Sequence, residues 1–405
     1  MDELGEHPGV AAGAEDAGRD DESHLRDVSL LTPIETDVAS LRQTFGGTGH
    51  LTVGVEEELM LLDPATLDLA PVAAEVVGAA GADGRVKSEL PAAQLEAITT
   101  PVATVAEVVA QLAEGRRRVA RACAGTALPA ALAVHPFTGP LGQVAHERSR
   151  RDLVVELGEV ARLQLVSGLH VHVRVTGAER ALAVYNALRS YLPEIAALAA
   201  SAPFVAGRDT GMASVRPKIS ELLPRQGVPP ALTTWDEYAH AIAWGTRSQA
   251  FGHPRLWWWE LRPHPGFGTI ELRVPDQQAT AGDSAAIAAV AHSLAGWLAA
   301  RHDAGESLPV QPTWRIEENR WSAARHGLAG TMADLDSGER RPTRERLDDL
   351  LDRLEPSADE LGCERQLERA RALVRRNGSE RMRAAAHGDP RCATASVAER
   401  FLEGT

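Results

Sequence analysis

Lysine is almost missing from this chain: 405 residues carry only Lys87 and Lys218. Neither stands in a G-x-x-x-x-G-K-[ST] context, so a phosphate loop of that type is excluded. Cysteine is nearly as scarce. Cys123, Cys363 and Cys392 are far apart and odd in number, which gives neither a disulfide framework nor a zinc spacing, and a reducing cytoplasm is the expected compartment. No apolar run approaches the ~20 residues that cross a bilayer, so no membrane association is expected. The first residues, MDELGEHPGV, have no basic start and no apolar segment, and do not read as a secretory signal. A basic surface is lacking too: the formal net charge is −14, which argues against a nucleic-acid partner. No Ser/His/Asp or Cys/His arrangement for covalent catalysis stands out.

Much of the acidity is local. Residues 1–50 hold eleven Asp or Glu against three Arg. Residues 1–46 are rich in Gly, Ala and acids with little periodicity, and are expected to be a disordered tail. A catalytic domain is expected over 47–390, with a short C-terminal tail at 391–405. The 44% hydrophobic content of the whole chain suffices for a large core. Strands are expected over Ala127–His135, Ala161–Val175, Leu256–Arg262 and Gly268–Val274, the last two joined as a hairpin through PHPGF. Helical patterns cover Thr104–Ala124, a long apolar stretch at Ala178–Ala202, Ala281–Arg301, and most of the chain after Pro342. Helices interleaved with antiparallel-looking strands point to an α+β sheet-plus-helices enzyme.

The informative stretch is LTVGVEEELMLLD, Leu51–Asp63. Strand side chains alternate, so Val53, Val55, Glu57, Leu59 and Leu61 share one face while Gly54, Glu56, Glu58 and Met60 share the other. Two carboxylates held side by side repel unless a cation lies between them or they reach water. Three further segments repeat the pattern. SGLHVHVRV sets His170, His172 and Arg174 opposite Leu169, Val171 and Val173. GTIELRVPD sets Thr269, Glu271 and Arg273 opposite Ile270, Leu272 and Val274. WWWELRP alternates Trp258, Glu260 and Arg262 with Trp257, Trp259 and Leu261. For any one of these strands a solvated face is the simpler reading. The histidine strand departs from it, because His-x-His is a common ligand spacing and wet faces prefer Thr, Lys and Glu. Carboxylates with one imidazole suit Mg²⁺ or Mn²⁺, and arginines suit phosphate or a substrate carboxylate. His135 in AVHPF reads as a structural strand-end imidazole, the Trp257–Trp259 run as packing, and Cys123 as core.

With these residues in view, GVEEELMLLDP, SGLHVHV, GRDTG, FGTIELRVPDQQ and ENRWSAARHG resemble the glutamate–cysteine ligase type 2 family, in its bacterial carboxylate–amine ligase branch. The resemblance runs from about Leu51 to His387, with several motifs in order. It implies a glutamine synthetase-like fold: a curved antiparallel sheet forming a catalytic funnel, with helices on its outer face. It also implies ATP as co-substrate and Mg²⁺ or Mn²⁺. By position, Glu56, Glu58, Glu96, His170 and Glu271 match the metal-binding residues, and His172 would lie beside the nucleotide. Arg262 and Arg273 would stabilise the transferring phosphoryl group, and Arg208 and Arg216 would hold the acid substrate. From spacing alone Glu96 reads equally as an ordinary surface acid, and the two loop arginines as surface salt bridges. Two departures touch the substrate side: Ser167 stands where a cysteine is usual, and Met212 and Val215 where tyrosines are common.

The implied activity is amide formation between an amino-acid carboxylate and an amine, with at least weak glutamate–cysteine ligation. A guanido-type phosphotransferase on the same fold and a nonenzymatic metabolite-binding protein are the alternatives. The physiological amine is not legible, and a homo-oligomer is left open.

Overall fold

The computed structural model describes residues 37–146, 148–251 and 256–405. Its strands in chain order are β1 (Thr52–Leu62), β2 (Val86–Ser88), β3 (Gln94–Ile98), β4 (Leu128–Ala130), β5 (Leu169–Arg174), β6 (Phe204–Val205), β7 (Arg208–Asp209), β8 (Leu261–His264), β9 (Thr269–Leu272), β10 (Thr331–Ala333) and β11 (Arg340–Pro342). One antiparallel sheet runs β2-β3-β1-β5-β9-β8, with β4 also paired to β1. The two remaining pairs, β6–β7 and β10–β11, are separate.

The sheet has one apolar face because β1, β5 and β9 alternate as their sequences require. Val53, Val55, Val171, Val173, Ile270 and Leu272 are fully buried and share a core with the Ala281–Asp303 helix. Half of that helix's buried residues are alanine, so neighbours approach closely. A Cβ on Gly296 would meet the Ser357 Oγ at 2.7 Å. No helix among the described residues is long and apolar enough to cross a membrane.

Several expected elements are shorter. Only Leu169–Arg174 of the 161–175 stretch is strand, since Gly158–Leu163 turns as a 3₁₀ helix. The 178–202 helix breaks into Ala178–Leu188 and Leu192–Ala199 around a 3₁₀ turn at Arg189–Tyr191. Pro193, which has no N–H, opens the second piece. Buried Arg189 donates to the carbonyls of Pro229 and Gln311 and to the Thr313 hydroxyl. The hairpin holds, but its pairing covers only Leu261–His264 with Thr269–Leu272.

Residues 37–46 and 391–405 are more ordered than the sequence suggested. Residues 1–36 lie outside the described residues. Residues 37–46, expected in the tail, contain the helix Val38–Thr44, whose N-cap Asp37 accepts from the Ser40 amide at 2.8 Å. Leu41 and Phe45 are 1% exposed, and the Phe45 ring lies 4.6 Å from that of Trp235. The 391–405 segment is no tail either. Pro390–Glu399 is helical, Ala393 and Val397 are buried, and Phe401 sits in the core beside Leu95 and Val119. Seven- and ten-residue helices carry too few apolar positions to show a period.

The N-terminal helix makes a measurable difference. Each buried Leu or Phe contributes about 1.5–3 kcal/mol. A chain starting at Gly47 is therefore expected to melt several degrees below the parent, while one starting at Asp37 keeps every one of these contacts and melts like it. Equal melting of the two truncations would show that the helix contributes nothing.

Candidate functional site

Strand register lines up the polar face in rows about 7 Å apart, two residues of rise per step. In the first row Lys87, Glu96 and Glu58 are directly opposite one another across β2, β3 and β1. In the second Glu56 faces His170 across β1 and β5. In the third Gly54, His172, Glu271 and Arg262 follow across β1, β5, β9 and β8. A fourth pairs Thr52 with Arg174, and Thr269 with His264.

The side chains meet. His170 Nδ1 is 3.2 Å from Glu56 Oε2, and its Nε2 is 3.6 Å from Glu58 Oε1. His172 Nδ1 meets the Thr269 hydroxyl at 2.9 Å. Its buried Nε2 lies 3.3 Å from Glu56 Oε1 without hydrogen-bond geometry. Three ligand sets of converging atoms result: Glu56–Glu96–His170, Glu56–His172–Glu271 and Glu58–Glu89–Glu96. Oxygen-rich sets with one imidazole fit a hard divalent cation.

Electrostatics point the same way. Burial raises the Glu96 carboxyl, and the Glu56, Glu89 and Glu58 charges push it further, well above the usual carboxylate range. A cation there would relieve that repulsion. For Glu56, burial is outweighed by its hydrogen bond with His170 and by the closeness of the His170 and His172 imidazoles, which hold it well below that range. Glu271, also opposed by burial, is held well below by Arg262 and Arg273. Burial pushes the His264 imidazole down to about 3, so it is neutral.

The arginines divide in role. Arg262 grips Glu271 with two bonds of 2.6 and 3.1 Å and donates to the Trp257 carbonyl, so it faces inward. Arg273 also binds Glu271, at 2.6 Å, but its side chain is 20% exposed. Arg216 is buried behind it, donating to the Arg273 and Val274 carbonyls and lying 3.6 Å from Asp276. Gly168 is needed at that approach: a Cβ there would stand 2.5 Å from an Arg216 nitrogen and 3.0 Å from His170 Nε2. Arg208, on β7, is exposed, and no hydrogen bond among the described residues ties it to the cluster. The structure thus gathers nine of the ten sequence candidates and leaves Arg208 apart.

Glu89 was missed in the sequence, although VKSEL alternates Lys87 and Glu89 as GVEEEL alternates its acids. Glu260 turned out to pair with Arg320 of the ENRW motif through bonds of 2.6–3.0 Å, and its carbonyl accepts from the Arg273 amide. Asp276 of the VPDQQ motif accepts from the Ser201 amide and the Ser214 hydroxyl, tying the loop that carries Ser214 to the sheet. His135 is structural: its Nε2 meets the Leu67 carbonyl and its Nδ1 accepts from the Thr138 amide. Ser167, buried, accepts from Gln94. Cys123 is core, and Trp257 packs against Tyr238 and Phe251.

A mixed α/β architecture around this sheet also occurs in solved ligases. The glutamate–cysteine ligase of Francisella tularensis, solved in complex with AMP, superposes with a TM-score of 0.65 at 13% identity, over 88% of this chain and 90% of that one. A bifunctional glutathione synthetase of Pasteurella multocida gives 0.61 at 15% identity, over 90% of this chain and 53% of that one. The fold is of the glutamate–cysteine ligase class. Within that class the chain belongs to Glutamate-cysteine ligase family 2 (GCS2), which it matches over residues 52–396. It is 40% identical over 347 residues to "Putative glutamate--cysteine ligase 2-3" of Rubrobacter xylanophilus, covering 84% of this chain and 93% of that one. The corresponding figure for "Putative glutamate--cysteine ligase 2-1" of Mycolicibacterium vanbaalenii is 37% over 339 residues, 81% of this chain and 87% of that one. Membership in this family makes the protein a ligase that forms C–N bonds.

Proposed function

We propose that the protein is an ATP-dependent carboxylate–amine ligase with glutamate–cysteine ligase activity, forming its amide through an acyl phosphate. The observation that carries this reading is the row geometry: three ligand sets of carboxylates and imidazoles beside an accessible guanidinium, on one face of one sheet.

A carboxylate is a poor acyl donor because oxide is a poor leaving group. Transfer of the ATP γ-phosphoryl group to a carboxylate oxygen releases ADP and makes that oxygen a good leaving group. The amine nitrogen then attacks the carbonyl carbon, the C–O bond breaks, phosphate departs, and the amine loses a proton. Such chemistry asks the protein for positioning and charge neutralisation, with no covalent nucleophile. Mg²⁺ or Mn²⁺ held by Glu56, Glu58, Glu96, His170 and Glu271 would neutralise phosphate charge. Arg273 offers its fork to the transferring group. Arg262 holds Glu271 in place, and His172, whose Nε2 lies 3.3 Å from Glu56, would border the nucleotide's phosphates. Arg216 braces Arg273 from behind, which revises its reading as a substrate contact; exposed Arg208 stays the candidate for an incoming carboxylate.

Product analysis tests this. With Mg²⁺, ATP, glutamate and cysteine, the expected products are ADP, free phosphate and a γ-linked dipeptide in equal amounts, and hydroxylamine replacing cysteine should trap a hydroxamate. A phosphorylated guanidine without free phosphate would assign the fold to guanido transfer instead. Nucleotide binding without turnover against a panel of amino acids and amines would leave only a binding protein.

A further inference from the structure

The β8–β9 ladder comes apart just where Arg273 leaves it. An opposed, hydrogen-bonded pair in an antiparallel ladder exchanges two backbone bonds. Glu260 and Arg273, next in register after Leu261 and Leu272, exchange one. The Arg273 amide donates to the Glu260 carbonyl at 2.7 Å, but the Glu260 amide turns away to the Gly227 carbonyl at 3.0 Å. The Arg273 carbonyl accepts from Arg216 instead, at 2.9 Å. Each of these two holds ends in a buried charge pair. Arg320 grips the Glu260 carboxylate through bonds of 2.6–3.0 Å, and Arg216 lies 3.6 Å from Asp276. All four side chains are buried, and the Asp276 charge also acts on Arg320, so the pairs form one network. Both lead to the Thr313–His326 helix. Arg320 projects from its middle. Near its end the Ala324 and Arg325 carbonyls accept from the Ser214 and Ala213 amides, and the Ser214 hydroxyl donates to Asp276. One helix therefore holds the Arg273 backbone from both sides.

We propose that Arg320 is a positioning residue for phosphoryl transfer. Through Glu260 it fixes the Arg273 backbone, and with it the angle at which the Arg273 fork meets the transferring group, without itself touching a substrate. This deepens the ligase reading and rests on it. Burying four charges costs desolvation that an apolar contact would avoid. What the pairs supply, and Leu or Met could not, is direction. Arg273 depends on that direction because its side chain is 20% exposed and is held at its tip by Glu271, at 2.6 Å through one nitrogen. A shift of its backbone therefore swings the fork. Misplacing a group by about 1 Å can cost about a hundredfold in rate. Ground-state ATP binding is spread over many contacts, whereas the group in transit is met by few, so the loss falls on the second.

Calorimetric titration of the full chain tests this with two probes: Mg²⁺–ATP, and Mg²⁺–ADP with aluminium fluoride, which mimics a phosphoryl group in transit. Arg320→Lys keeps a positive charge beside Glu260 and loses the fork. It is expected to fold, to bind ATP within about twofold of the parent, and to bind the mimic about tenfold more weakly. In ATP turnover with glutamate and cysteine, kcat should fall by a similar factor while KM for ATP holds. Arg320→Met with Glu260→Leu strands no charge, so it carries the test should the lysine variant unfold, and the same split is expected of it. Parental affinity for the mimic in a folded variant, or equal weakening of both probes, overturns this proposal alone. So does loss of the fold in both variants, which would make the network a structural one. A parent that binds the mimic no more tightly than ADP overturns phosphoryl transfer, and the ligase reading with it.

Discussion

Glu56→Gln should abolish metal-dependent ATP turnover and leave the fold intact, whereas Glu271→Gln should lose both. The difference follows from what each carboxylate touches. Glu56 faces His170, His172 and its fellow acids, so neutralising it removes an anion that two of the three ligand sets share while relieving repulsion on Glu96. Glu271 is 1% exposed and anchors both Arg262 and Arg273. Its loss strands two guanidiniums, one of them buried, and removing one partner of a buried pair costs about 3–5 kcal/mol. Glu96→Gln goes the other way: with burial and three like charges pressing on it, a neutral side chain should raise the melting temperature without Mg²⁺. Glu56→Gln and Glu96→Gln should lose the Mg²⁺-induced thermal shift expected of the parent. The measurements are melting temperature with and without Mg²⁺, and ATP hydrolysis coupled to an amine acceptor. Parental turnover in Glu56→Gln and Glu96→Gln would sink the metal-binding reading of this face.

The polar face was legible because strand period is two and its exceptions are chemically loud. GVEEEL, LHVHVR and TIELR each place charge where a half-buried strand wants Val or Leu, and register alone then brings Glu56 to His170 and His172 to Glu271. What sequence could not supply was the direction of each arginine. Arg216 and Arg262 read as ligands for phosphate or carboxylate, yet their nitrogens are taken by the Arg273 carbonyl and by Glu271. A guanidinium's partner is a tertiary fact. The same holds for Glu260 and Arg320, 60 residues apart, whose pair closes only when the Thr313–His326 helix meets the start of β8. Glu89 stands just past a three-residue strand, where Lys87 and Glu89 give only a single step of alternation, and the Val38–Thr44 helix has too few apolar anchors for any periodicity.

One acid of the opening triplet belongs to the other face, and it carries the largest structural prediction. Glu57 points away from the ligand rows into a fully buried network. Arg116 gives it two bonds of 2.6 and 2.9 Å, and the Ser284 hydroxyl and Gln277 amide complete its shell. The Arg116 guanidinium also donates to the carbonyls of Gln278, Ala279 and Phe401, so one side chain joins β1 to the segment after β9 and to the C-terminus. Burial works to raise the Glu57 carboxyl, and the Arg116 charge outweighs it. Arg116→Met leaves that carboxylate buried without a cation and should cost about 3–5 kcal/mol, read as a lower denaturant midpoint. Replacing both partners, Arg116→Met with Glu57→Leu, should recover the part due to the stranded charge, because an apolar pair needs no desolvation, while the carbonyls that lose their Arg116 donor keep stability below the parent's. Activity should not return with it. Glu57 lies between Glu56 and Glu58 on the same rigid strand, and its clamp fixes the backbone from which both project. The folded double variant is therefore expected to need a higher Mg²⁺ concentration for half-maximal turnover, while a merely structural clamp predicts a parental Mg²⁺ response once stability is recovered.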